Sequence, residues 1–525
     1  MTKPIITAQQ VQRIKTSSIV KGTLILTIAG FITRIIGFFY RIFLSNTMGA
    51  ELLGIYQLIF PVYGICFTIF ATGIQTSISR LVAAELAKRN TKNVYKILRI
   101  GIFVSVILAA ILSVLVYFYA DLIAARFLLE VRSTNSVRIL AVVFPFCGIT
   151  ACINGYYYGL KQAGVPACTQ LLEQIIRVVI VYVIALYLGG GSLSVTCEIA
   201  VIGLVAGEIA SCLYNVAALF ITKSPSKTMM LPPDPMAKTT RRKVIFKDLM
   251  VLSVPLSSNR LLLSILHTIE AVLIPAMLRR SGLSTEDSLT AFGVLNGMSI
   301  PFIMFPTALV NALAVLILPA ISEAQAINND KLIGKTTAIS VKYSLIIGII
   351  STGLFILFGE DLGNTVFHNA ACGEYLIILA WLCPFMYLTT TLNSIINGLG
   401  KAHVTFINSI IGTLCKIALI MVLIPSKGIT GYLIALLVGQ LIITGLDVFA
   451  VLRYVTFEMD AINSIVKPGL IIVLAGNLLN ACYEYMKKMT HINEVVFLLT
   501  FCFILCVICL ILLLITGAIK KKDFN

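Results

Sequence analysis

Charge is what this chain has least of. Only 12% of its 525 residues are Asp, Glu, Lys or Arg, where a soluble domain carries about 25%. It has one tryptophan and four histidines. The histidines (His267, His368, His403 and His491) show no metal-ligand spacing, and no phosphate loop or nucleophile elbow occurs. These shortages exclude a large water-soluble enzyme, a fibrous protein and a disordered tail, and they leave no metal or cofactor to expect. A disulfide framework is excluded as well, because the thirteen cysteines are odd in number and lie mostly in apolar runs. Cys502, Cys506 and Cys509 have a spacing that can ligate an iron–sulfur cluster. They sit in FCFILCVICLILLLI with no polar neighbour, so they read as small apolar residues. No cleavable signal peptide is expected, since residues 1–21 are polar and basic and the first apolar stretch is long enough to span.

What is present is apolar: 58% of residues are hydrophobic and the mean hydropathy is +0.98. They gather into runs of roughly 18–30 residues, each long enough for a transmembrane helix. The spacing predicts an all-α integral membrane protein of about fourteen spans, near 22–45, 54–83, 97–120, 138–160, 168–189, 198–222, 248–278, 289–320, 337–358, 374–398, 404–425, 428–452, 464–482 and 495–518. The net charge of +17 would suggest nucleic acid in a soluble chain, but its distribution points elsewhere. With the N-terminus inside, 26 Lys and Arg fall on inner segments and 8 on outer ones. That asymmetry is the positive-inside rule; it predicts both termini in the cytoplasm and no nucleic-acid partner.

Six basic residues remain at or near membrane depth: Arg34, Arg41, Arg80, Arg177, Arg260 and Lys416. Arg34 and Arg41 are seven apart, so they point within about 20° of each other and stand about 10 Å apart along the axis. Arginine at a span centre costs about 2.5–3.5 kcal/mol on insertion scales, so it faces a bundle interior or a wet cavity unless it snorkels. Span 7 repeats the pattern with Arg260 and His267, and Glu270 follows. Glu173 and Arg177 stand at i and i+4 in span 5 and can pair, for structure or for gating. Glu208 and Asp447 have no obvious partner, Arg80 reads as an interfacial anchor, and Lys416 serves a cavity or packing. The arginines outnumber acids in the two lead spans, and a surplus of guanidinium forks suits phosphate oxygens.

Residues 140–177 slide onto 379–416 without a gap, and ten of the 38 positions are identical, among them Pro145/Pro384, Asn154/Asn393 and Gly159/Gly398. Arg177 falls on Lys416. The expected organisation is a cytoplasmic N-terminal segment 1–21, an N-lobe 22–222, a basic cytoplasmic linker 223–247, a C-lobe 248–453, and 454–525 with two appended spans and a tail. Six spans per lobe insert both copies in the same orientation, an architecture of transporters that rock two bundles about a central site.

KGTLILTIAG at 21–30, the pattern from Arg34 through Gly37 and Phe38 to Arg41, LEQIIR at 172–177, GEIASCLY at 207–214, Arg260 with Glu270, and LPAISE at 318–323 together resemble the stage V sporulation protein B family. That family lies within the multidrug/oligosaccharidyl-lipid/polysaccharide (MOP) flippase superfamily. The resemblance implies two pseudo-symmetric six-helix lobes plus two C-terminal helices. It implies no enzymatic activity, and translocation of an undecaprenyl-diphosphate-linked saccharide, lipid II or a relative, for peptidoglycan or spore cortex. It also implies membrane lipids and cell-wall synthesis proteins as partners. Related lipid II flippases need cavity arginines on their first helix; Arg34 maps onto one, and Arg41 lies one residue beyond the second. They also hold the lipid tail between the appended helices. The expected diphosphate ligands are Arg34, Arg41 and Arg260, with Glu173, Arg177, His267, Glu270 and Lys416 for the cavity or gate. A cation-drug exporter that depends on Glu173, Glu208, Glu270 or Asp447, a lipid-linked sugar transferase and a non-transporting scaffold remain alternatives.

Overall fold

The computed structural model describes residues 8–188, 195–221, 239–489 and 493–519, with side chains from residue 25 onward. Residues 1–7, most of the predicted linker (222–238) and the lysines at 520–522 lie outside the described residues. Every regular element among the described residues is helical, which is what a long apolar run requires: in lipid, each backbone N–H and C=O has to bond within its own segment. Eleven helices are long and apolar enough to cross a membrane, or twelve if the pair Val131–Ala141 and Phe144–Gly159, bent by 49°, is one span. Fourteen were expected. Two of the eleven, Ile25–Ala87 and Ala402–Tyr454, are 63 and 53 residues long. Each is interrupted at one glycine with a left-handed backbone, Gly49 (φ 79°) and Gly428 (φ 57°), where one helix gives way to the next with no loop.

The labelled helices are α1 (Ala8–Phe67), α2 (Gly73–Ala87), α3 (Thr91–Phe118), α4 (Thr134–Ala141), α5 (Phe144–Gly159), α6 (Gly164–Leu188), α7 (Cys197–Ile221), α8 (Arg242–Arg280), α9 (Thr285–Gly293), α10 (Thr307–Ala326), α11 (Asp330–Phe367), α12 (Ala370–Leu379), α13 (Cys383–Gly398), α14 (Ala402–Tyr454), α15 (Lys467–Lys487) and α16 (Glu494–Ile515). They form two compact units, one of Met1–Tyr40 with Leu58–Thr268, the other of Arg41–Gln57 with Ile269–Asn525. Their division falls inside α1 and α8, whereas the expected lobes meet in the linker.

In the first unit, Ile74, Ile78 and Val82 of α2 pack with Val94 and Ile97 of α3 and Ile153, Tyr156 and Tyr157 of α5. Backbones approach closely where side chains vanish. A Cβ on Gly155 would stand 2.5 Å from the Gln75 carbonyl oxygen, and one on Gly159 2.8 Å from that of Ser79. Helix association in lipid rests on this kind of small-residue packing.

In the second unit, Ile317 and Ile321 of α10, Val341 of α11, Leu392 and Ile395 of α13 and Val451 of α14 form the core. The appended helices α15 and α16 join it through Tyr483, whose ring lies 5.4 Å from those of Phe358, Phe497 and Phe501. Cys502 and Cys509 are buried on α16 and Cys506 is exposed. No group of three or more His, Cys, Asp or Glu among the described residues could hold a metal.

Each half shows the break that the duplication places there. α4 and α5 part at 142–143, and α12 and α13 part at the turn Ala380–Leu382, close to 239 residues later. Pro145 and Pro384 both sit in the first turn of the helix that follows, where a missing N–H costs nothing.

Candidate functional site

The charged residues at membrane depth divide into those with partners and those without. In the first unit, one helical turn separates Glu173 from Arg177 on α6, and their side chains form the ion pair that the i, i+4 spacing allows. α7 lies against this pair at Gly207, where a Cβ would come within 2.6 Å of the Glu173 carbonyl oxygen and 3.3 Å of the Arg177 Cβ. The next residue, Glu208, is 9% exposed and accepts a hydrogen bond from the Tyr63 hydroxyl at 3.0 Å. Two turns further along α7, Asn215 Oδ1 accepts from Thr169 at 2.8 Å, and Asn215 Nδ2 donates to Asn154 Oδ1 at 3.3 Å.

The second unit repeats this design with different side chains. Lys416 stands where Arg177 does. Residues 429–453 of α14 match α7 at an offset of 232, which sets Gly439 on Gly207 and Asp447 on Asn215. A Cβ on Gly439 would lie 2.8 Å from the Lys416 Cβ, so the basic side chain again rests on a glycine. Its acid comes from another helix: Lys416 Nζ is 2.7 Å from Glu270 Oε2 on α8, both side chains about nine-tenths buried. Asn408, at the position of Thr169, donates to Asp447 Oδ1 at 2.8 Å. Gln440 Nε2 donates to Thr389 Oγ1 at 3.0 Å.

Arg34 and Arg260 are different. Both are exposed, both belong to the first unit, and neither has a hydrogen-bond or ion-pair partner among the described residues. His267 is exposed in the same unit, while Arg41 is half-buried in the second. Lys416, which from sequence served a cavity or packing, is neutralised by Glu270, and Glu270 is buried where Arg260 and His267 are exposed. Sequence reasoning missed Tyr63 as the partner of Glu208 and Asn408 as the partner of Asp447. The 239-residue offset carried a signal for the second, because it sets polar Asn408 on polar Thr169.

Among solved structures, the chain is similar to the lipid II flippase MurJ in an inward closed conformation, with a TM-score of 0.69 and 17% identity over 95% of this chain and 99% of that one. It is also similar to an inward-facing multidrug resistance MATE family transporter of the MOP superfamily, with a TM-score of 0.67 and 15% identity over 80% and 94%. The fold is thus that of a multi-pass helical membrane protein built on the same frame as these two proteins. The resemblance drawn from the sequence is borne out by stage V sporulation protein B of Bacillus subtilis (strain 168), 26% identical over 507 residues, 96% of each chain. The lipid II flippase MurJ of the same organism is 22% identical over 454 residues, 81% of each. The chain belongs to the polysaccharide biosynthesis protein family, whose model matches residues 19–325, and a MatE model matches 264–422.

Proposed function

We propose that this protein is a flippase that carries an undecaprenyl-diphosphate-linked saccharide, lipid II or a related cell-wall or spore-cortex precursor, from the inner to the outer leaflet of the cell membrane by alternating access. The observation that carries this reading is the contrast among the cations. Arg177 and Lys416 each hold a carboxylate, whereas exposed Arg34 and Arg260 hold none among the described residues. A guanidinium at membrane depth without an acid is available to an anion from outside the protein, and its planar fork matches phosphate oxygens. Arg41 adds a third cation to the diphosphate site. Glu173–Arg177, Glu270–Lys416 and His267 belong to the gate, and the lobes 22–222 and 248–453 are the rocking bodies. The relatives named above, a lipid II flippase among them, support the substrate class.

Both termini face the cytoplasm in this scheme, as the distribution of Lys and Arg requires. An interior-negative potential then assists export: a doubly charged diphosphate gains about 4–5 kcal/mol per 100 mV. The test is headgroup translocation by purified protein in vesicles, with lipid II set against a teichoic or capsular precursor. Loss of lipid II movement in Arg34→Ala, with folding intact, supports the site; full activity in that variant removes it. The MatE match over 264–422 favours one competitor, a cation-drug exporter. That competitor predicts drug efflux that needs Glu173, Glu208, Glu270 or Asp447 and is indifferent to Arg34.

A further inference from the structure

The two halves share a polar triad that differs in two side chains, Asn408 for Thr169 and Asp447 for Asn215, and the second change removes a donor. In the first unit Asn215 receives a hydrogen bond from Thr169 on its oxygen and gives one from its nitrogen to Asn154 Oδ1. The matching residues of the second unit are Asn408, Asp447 and Asn393. Asn408 serves Asp447 Oδ1 as Thr169 serves Asn215. The other contact has lost its donor, because a carboxylate has no N–H. The two atoms left without a hydrogen-bond partner are Asp447 Oδ2 and Asn393 Oδ1, both buried. The two helices are pinned one turn earlier, where Thr389 Oγ1 and Thr444 Oγ1 are 2.9 Å apart. Asn393 follows Thr389 by four residues and Asp447 follows Thr444 by three, so the orphaned acceptors lie on the next turn of helices already in contact.

We propose that Asp447 is a proton-binding site of the second unit, its carboxyl O–H donating from Oδ2 to Asn393 Oδ1 while Asn408 holds Oδ1. One hydrogen satisfies both orphans and restores the bond that Asn215 makes in the other half. The site also stays neutral, which matters for a side chain 1% exposed within a membrane span. Turning the Asn393 amide over would offer an N–H to an ionised Asp447, but no cation would accompany the charge. Lys416, on the helix that carries Asn408, is taken by Glu270. Lys401, just before α14, and Cys415 of α14 do not bond Asp447, and His403 and Arg453 of α14 and Glu374 of α12 are exposed. On α13, Cys383 is buried without bonding Asp447, and Tyr387 donates to the Ile303 carbonyl. A sodium ion would need several oxygens, and Thr389, Thr444 and Gln440 are already bonded to one another.

The proposal rests on the protein's own polar network and not on the lipid reading, so either can fail alone. Its test is infrared spectroscopy of the purified full-length protein in lipid nanodiscs from about pH 5 to about pH 9, the range in which buried carboxyls titrate. The wild type minus Asp447→Asn difference spectrum is expected to show a protonated-carboxyl stretch at neutral pH, lost in the variant. A carboxylate stretch in its place, whether the ion is bare, amide-bonded or sodium-bound, overturns the proposal. Should Asp447→Asn fail to fold, Asn393→Ala decides. It moves the protonated band to higher frequency by removing its acceptor, and an unmoved band, or none in either protein, refutes the shared proton.

Discussion

Removing the charge of Lys416 should destabilise this protein more than removing that of any exposed arginine. Lys416 Nζ and Glu270 Oε2 are 2.7 Å apart, with 13% and 10% of their side-chain surfaces exposed. Tyr432, 2% exposed, hydrogen-bonds the same carboxylate. In Lys416→Met the thioether fills the space of the aliphatic stem, but Glu270 loses the ammonium 2.7 Å from its Oε2. Stranding one member of a buried pair costs about 3–5 kcal/mol, and the residual exposure here places the expected loss near about 3 kcal/mol. Glu270→Gln, which strands the lysine instead while preserving an acceptor for Tyr432, should cost a similar amount. The double variant strands neither charge and should return to within about 1 kcal/mol of wild type. Unfolding of the four proteins in mixed micelles, arranged as a double-mutant cycle, gives the coupling directly. Singles that cost less than about 1 kcal/mol, as a solvated surface pair would, refute the reasoning; so does a double variant no better than either single.

Other expectations follow from the same contrasts. Arg34→Ala and Arg260→Ala should each change stability by less than about 0.5 kcal/mol, since neither arginine has a partner to lose among the described residues, while lipid-headgroup translocation in vesicles falls. Tyr63→Phe should cost about 1–3 kcal/mol in the same unfolding assay, because it strips Glu208 of its hydroxyl donor. In Gly439→Ala the new methyl meets the Lys416 Cβ at 2.8 Å, so a loss of about 1–3 kcal/mol is expected, with disulfide trapping reporting a shift between the two helical arms of α14. Gly428→Ala forces a Cβ into the left-handed region at φ 57° and should cost about 1–2 kcal/mol by the same measurement.

Local spacing was readable in the sequence and long-range pairing was not. The helical runs and the Glu173–Arg177 pair follow from residues a few positions apart, where helix geometry fixes the outcome, whereas the spans read as unbroken over 138–160 and 374–398 part near 142 and 381. Glu270 and Lys416 are 146 residues apart and Tyr63 and Glu208 are 145 apart. Nothing in either local stretch names its partner, because such pairs depend on which helices meet and at what height. The sequence also suggested loops near 46–53 and 426–427. It missed that a single glycine at 49 or 428 turns the chain with the helices running up to it on both sides. The duplication was the one long-range signal: its 239-residue offset sets Asn408 on Thr169, whereas the match of Asp447 to Asn215 needs an offset of 232 that emerges only once the helices are placed.

The turns at Gly49 and Gly428 have a mechanical consequence. A hinge one residue long has no slack, so a tilt of either helix drags its neighbour, and force passes through the corner as through a bent rod. Splicing a few flexible residues into either corner would decouple the two arms while leaving every side chain in place.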